Sequence, residues 1–251
     1  MSALVIAARE LRGLFFSPLA WSILGVVQMI LGFMFLSQLD YYMELQPRIA
    51  GMDGAPGVTD LIVAPLFGNA GVILLLVTPL ITMRLISEER RNRTLSLLFS
   101  APVSMADIIL GKYLGTLAFL LIMVGMILLM PLSLLLGGGL DFGKLAACAL
   151  ALSLLLASFA AVGLYVSTLA SQPTTAAVGS FGALLLLWIV DWNSNGGDKS
   201  DSVLHYLSLL RHYDGLLKGL VGTTDLIYFL LFIFTFLVLS IHRLDNDRLQ
   251  K

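Results

Sequence analysis

Ser87–Lys112, SEERRNRTLSLLFSAPVSMADIILGK, decides how this chain is read. It is the only long polar interruption, rich in arginine, between strongly apolar segments. Glu88, Glu89, Arg90, Arg91 and Arg93 come first. Leu95, Leu98 and Phe99 then recur at the i, i+3, i+4 spacing of one helix face. Pro102 ends that helix, because it lacks an N–H and its ring clashes with the preceding turn. Ser104 is placed to cap a new helix, with Asp107 three residues on completing a capping box. Val103 and Ile108 stand at the two positions of a hydrophobic staple. The stretch therefore predicts a short helix, a proline-marked turn, and a second helix running into an apolar span.

Working outward, the composition settles the solvent. Of 251 residues, 58% are hydrophobic and only 12% are charged, about half the share of a soluble domain. The expected fold is an all-α integral membrane protein forming a single domain over residues 1–251. A span needs about 20 mostly apolar residues. Six candidates meet this: 19–39, 62–85, 113–136, 145–169, 174–192 and 224–242. The fourth and fifth come from one uncharged run, Leu145–Val190, divided at Ser171-Gln172-Pro173-Thr174, where Pro173 suits a first helical turn. Residues 1–16 come before the first span. Within them Leu4, Ala8, Leu11 and Phe15 form a stripe that suits an interfacial helix. No basic run precedes the first apolar residues, so a non-cleaved first segment is expected.

Basic residues orient the spans. With the N-terminus in the cytoplasm, ten of the fifteen Lys and Arg residues lie inside: Arg9, Arg12, Arg84, Arg90, Arg91, Arg93, Lys112, Arg243, Arg248 and Lys251. Both termini are then cytoplasmic. The outer segment Asp40–Leu61 is expected to be a loop. The outer segment Asn193–Thr224 carries Val203, Tyr206, Leu207, Leu210, Tyr213, Leu217 and Leu220 at helical spacing. It predicts an extracytoplasmic amphipathic helix or hairpin between spans five and six.

Sites for chemistry are few. Gly138–Leu145 approaches a phosphate-binding loop, but Leu145 replaces the hydroxyl residue and no strand precedes the glycines. The chain is thus not expected to be an enzyme or to bind a cofactor of its own. His205 and His212 are too few ligands for zinc. A net charge of −1 gives no reason to expect nucleic acid. The spans hold almost no ionisable groups. Arg84, Asp191 and Lys112 stand at their edges, where Lys112 is expected to snorkel to the surface. This disfavours an ion-coupled transporter. Gly111-x-x-x-Gly115 suits close helix approach, either within the chain or between two copies.

The loop resembles that of type-2 ABC-transporter permeases, most closely their gliding-motility-type branch. The pattern of that family is matched by Glu88 or Glu89, Thr94, Leu95, Leu98, Ser100, Pro102, Val103, Ser104, Leu110, Gly111 and Lys112. It departs at Arg93, where a glycine is usual, and at Ser96, where a glutamate is usual. Near the end, Arg211-His212-Tyr213, Lys218-Gly219 and Asp225-Leu226-Ile227-Tyr228-Phe229 are similar to the family's motif before its last span, and the tail His242–Arg248 resembles the ending of the gliding-type branch. The resemblance implies a permease subunit that couples ATP hydrolysis to export across the bacterial inner membrane. Glu88, Glu89, Arg90, Arg91, Arg93, Thr94, Leu95, Leu98, Phe99 and Pro102 would form the cytoplasmic coupling helix between spans two and three. That helix would dock on an ABC ATPase subunit. Two ATPase copies, with their ATP and magnesium, and a second permease copy or relative would complete the assembly. His212, Tyr213, Gly219, Asp225 and Tyr228 would be structural. The alternative is a mechanical or assembly component, in which the same unit acts on an extracytoplasmic auxiliary protein and moves no solute.

Overall fold

The computed structural model describes residues 3–49, 57–95, 103–136, 140–189 and 208–249. Among these residues the fold is all helical. Nine α-helices follow in order: α1 (Ala3–Phe16), α2 (Pro18–Ile49), α3 (Ala64–Thr82), α4 (Ser87–Arg91), α5 (Met105–Ser133), α6 (Phe142–Leu169), α7 (Pro173–Ile189), α8 (Leu209–Leu217) and α9 (Thr223–Leu249). A π-turn, Thr59–Val63, leads into α3.

Among the described residues five helical stretches are long and apolar enough to cross a membrane: Pro18–Arg48, Thr59–Arg91, Met105–Leu135, Phe142–Leu169 and Thr223–Arg248. The expected fifth span is α7, whose 17 described residues fall short of that length. Residues 190–192 of that span lie outside the described residues.

Local chemistry explains most boundaries. Ser104 caps α5, accepting the Asp107 amide at 3.0 Å, and its hydroxyl donates to the Asp107 carboxylate at 2.7 Å. Asp141 caps α6, accepting the amides of Gly143 at 2.9 Å and Lys144 at 3.2 Å. These are two of the donors that a phosphate-binding loop would offer. The Lys144 ammonium is paired with Asp60. Pro173 opens α7 at the expected turn.

The segment expected as a loop, Asp40–Leu61, is corrected at both ends. Residues 40–49 continue α2, giving 32 residues, and Thr59–Leu61 belong to the π-turn. The run DYYMELQ holds no helix breaker, and Pro47 lies in the last turn of the helix. At 1.5 Å per residue α2 is about 48 Å long, against about 30 Å of hydrocarbon.

The core is built around α6, which packs against α3, α5, α7, α8 and α9. Of its most apolar window 72% is buried within the chain, against 17% for α9. Alanine and glycine make this possible, since small side chains let backbones approach. At Gly163 a β-carbon would lie 2.7 Å from that of Thr82, so the Thr82 side chain of α3 sits directly against the α6 backbone there. Thr78 and Thr82 give their hydroxyls to the carbonyls of Leu74 and Thr78, one turn back, and leave no polar group open at the contact.

The Gly111-x-x-x-Gly115 seam is occupied by α1. A β-carbon at Gly111 would meet that of Ile6 at 2.6 Å and the Ala3 carbonyl at 2.8 Å. One at Gly115 would meet that of Glu10 at 2.7 Å and the Ala7 carbonyl at 2.8 Å. The N-terminal helix therefore lies along α5 with its alanine-rich edge inward. The stripe expected at the membrane interface is divided. Leu11 and Phe15 face the bundle, whereas Leu4 and Ala8 are exposed and Ile6, Ala7 and Leu14 take the inner positions. The glycine seam leaves room for the β-carbons of Ile6 and Glu10 and for the carbonyls of Ala3 and Ala7.

Candidate functional site

The two ends of the bundle are marked by α4 and α8. Phe67, near the start of α3, touches α8, and Met83, just past its end, adjoins α4. The sequence motifs for coupling and for the outer cluster therefore sit at opposite ends.

Four observations describe the α4 end. First, α3 stops at Thr82, and after a tight turn Ser87–Arg91 form α4. Ser167 of α6 holds this corner. Its Oγ accepts the amides of Ile86 at 3.0 Å and Ser87 at 3.1 Å, and donates to the Met83 carbonyl at 3.2 Å. One serine hydroxyl thus pairs the N–H groups that a helix start leaves open. The Ser87 hydroxyl also donates to the Met83 carbonyl.

Second, α4 ends in a Schellman turn. The Arg93 amide bonds to the Arg90 carbonyl at 3.2 Å and the Thr94 amide to the Glu89 carbonyl at 3.0 Å. Arg93 itself has φ +58°. Such a turn favours glycine, which has no β-carbon to clash. The departure from the usual glycine at this position is therefore a matter of backbone conformation. The charged run and Leu95 do not share one continuous helix, because the left-handed residue redirects the chain between them.

Third, the charges divide. Glu89 and Arg90 face the bundle. Glu89 Oε1 lies 2.9 Å from Lys112 Nζ on α5, which lies 3.3 Å from Glu10 Oε2 on α1. The Lys112 side chain is only 7% exposed. The expected snorkelling is corrected: two carboxylates meet the ammonium inside the fold. Arg90 pairs with Asp247 on α9, and its Nη2 donates to the Thr168 carbonyl at 2.8 Å. Arg243 stands 3.6 Å from the same Asp247.

Fourth, Arg91, Asn92, Arg93 and Thr94 are exposed, and Glu88 is half-buried with Arg91 3.8 Å away. Leu95 is 3% exposed and packs in the chain's own core. Leu98, Phe99 and Pro102 lie outside the described residues.

At the other end, the described part of the amphipathic helix is α8. Its buried residues Leu209, His212, Tyr213, Leu216 and Leu217 form one stripe turned into the bundle. Val203, His205, Tyr206 and Leu207 lie outside the described residues. Ser208 caps α8, and Gly219, with φ +82°, closes it in a second Schellman turn. Tyr213 donates to the Phe67 carbonyl at 2.6 Å and lies over Gly71, whose missing side chain makes the room. Burial, with nearby Cys148 and Asp214, holds its phenol well above the usual tyrosine range, so it stays a donor. His212 Nδ1 lies 2.6 Å from Asp225 Oδ1, and its ring stacks on Tyr228 at 4.1 Å. Four of the five residues singled out at this end thus meet in contacts that fasten α8 to α3 and α9, and the fifth, Gly219, closes α8.

Reading the sequence alone misses Ser167, Glu10 and Asp247. Ser167 is one of many neutral hydroxyls in the spans. Glu10 and Asp247 lie about a hundred residues or more from their partners, and nothing local marks the pairing. The residues Leu110-Gly111-Lys112 did stand in the family pattern. The structure gives two of them work, since Gly111 admits α1 and Lys112 binds it to α4.

A profile of the family described as ABC-2 family transporter protein matches residues 5–249. No curated protein matches the chain.

Proposed function

Because the chain belongs to the ABC-2 transporter family, we propose that it is the transmembrane permease subunit of an ABC exporter, driven by a separate ATPase subunit. The observation that carries this reading is α4. It is a short charged helix fastened to one end of an apolar bundle, with Arg91 to Thr94 turned outward. In this reading the ATPase docks on Glu88–Pro102. Outward charges complement its groove, and Leu98 and Phe99 are the buried anchor. ATP and magnesium belong to that partner, present in two copies beside a second permease copy or relative. The membrane is the bacterial inner membrane, with α4 and both termini on the cytoplasmic side.

Six spans fit this reading. Helix α7 is apolar and contacts both α4 and α8, which mark opposite ends of the bundle, and this supports counting it as the sixth span. Hydrophobic mismatch of a few residues is accommodated by local thinning of the bilayer. An even number of spans places both termini on one side.

Leu98→Asp or Phe99→Asp should release the ATPase while the chain stays inserted. Retained co-purification with unchanged stimulation of ATP turnover would overturn the docking assignment. The mechanical alternative calls for a partner surface on the outer helix, whose described stripe is buried in the bundle. Movement of lipid or solute by the reconstituted complex would decide between the two.

A further inference from the structure

Helix α4 has five residues, too few to hold a position on its own. Its orientation comes from what grips it. Glu89 and Arg90 are adjacent, so they leave the helix about 100° apart. They carry opposite charges and close on different helices. Glu89 meets Lys112, which is shared with Glu10, and so ties α4 to α5 and α1. Arg90 meets Asp247 and the Thr168 carbonyl, and so ties α4 to α9 and α6. Low exposure protects both grips from screening by salt: 7% for the Lys112 side chain and 14% for Asp247.

We propose that Lys112, Glu10 and Asp247 are positioning residues for energy coupling. They stop α4 from rolling about its own axis. A push on the loop is then delivered as joint movement of α1 with α5 on one side and α6 with α9 on the other. The ion pairs suit this task because rolling α4 in either direction stretches one of them. An apolar contact, being non-directional, would let the helix slip. The proposal rests on the reading that an ATPase subunit docks on this loop. It adds that docking and transmission depend on different residues.

The test uses the full chain in nanodiscs with the ATPase subunit recovered from its native membrane. Lys112→Gln and Asp247→Asn are made singly and together. Two quantities are read: the Kd of the ATPase subunit, and the change in ATP turnover that the permease causes. The expected result is a Kd within about twofold of wild type and a turnover response at least about fivefold smaller in the double variant, within the range of ordinary coupling. Lys112→Arg, which keeps the charge, should restore most of the response. An unchanged response in the double variant would overturn the proposal. So would a loss of binding in step with the response, since the residues would then serve docking or folding. If one variant fails to insert, the other carries the test, because the two grips share no side chain. Failure of the underlying reading looks different: the wild-type chain would bind no ATPase subunit.

Discussion

Adding one methyl group to each of two glycines should loosen the N-terminal helix. At Gly111 and Gly115 a β-carbon would come within 2.6–2.8 Å of atoms on α1. Carbon contacts prefer about 3.5–4.0 Å, so α1 would have to move out by about 1 Å. Overpacking of this kind costs about 1–3 kcal/mol at one site. The two glycines face one seam, so the second methyl group costs less once the first has shifted α1, and the double variant should lose about 2–4 kcal/mol. That loss falls on the opening of α1 from α5 and is read by hydrogen exchange of the amides of α1. At 1.4 kcal/mol per factor of ten, Gly111→Ala/Gly115→Ala should speed that exchange by about 30- to 700-fold. Trp21, whose indole donates to the Phe15 carbonyl at the end of α1, gives a second signal in its fluorescence. Gly125→Ala and Gly182→Ala are controls, since an added β-carbon there meets nothing within 4 Å. Exchange of α1 no faster in the double variant than in these controls would refute the packing argument.

Other outcomes follow from single contacts. Arg93→Gly should stabilise the loop by about 1 kcal/mol, because φ +58° suits glycine, whereas Arg93→Val should destabilise it by more. Thermal unfolding in mild detergent reads both. Tyr213→Phe removes a second donor from the Phe67 carbonyl, which α3 also pairs, and should cost about 0.5–1.5 kcal/mol, with the melting temperature falling accordingly. Ser167→Ala removes the acceptor for two amides at the start of α4 and should cost about 1–3 kcal/mol. Faster proteolysis near Ser87 with an otherwise intact bundle is the expected sign.

Periodicity and capping made most of the fold legible. Ser104 and Asp107 predicted the start of α5, and Pro173 the start of α7, because these signals act within a few residues. The extension of α2 was not legible, since a polar segment without breakers reads equally as helix or loop. The packing of α1 was hidden for another reason. Hydrophobic spacing marked Leu4, Ala8, Leu11 and Phe15 as an interfacial stripe, and nothing local points to the glycine seam on α5, a hundred residues away, against which Ile6 and Glu10 pack. At the α4 end the sequence marked Glu89 and Arg90 but not their direction. Both turn inward because Lys112 and Asp247 wait there, and long-range pairing leaves no local trace. At the α8 end the family-like residues did converge, with His212 on Asp225 and Tyr228, and Tyr213 on Phe67.

The most direct test of the central claim is a pull-down of this chain from its native membrane in mild detergent, with mass spectrometry of all that is retained. The account predicts an ABC ATPase subunit among the retained proteins, and its loss with Phe99→Asp. A chain that comes down intact, well folded and alone would contradict it.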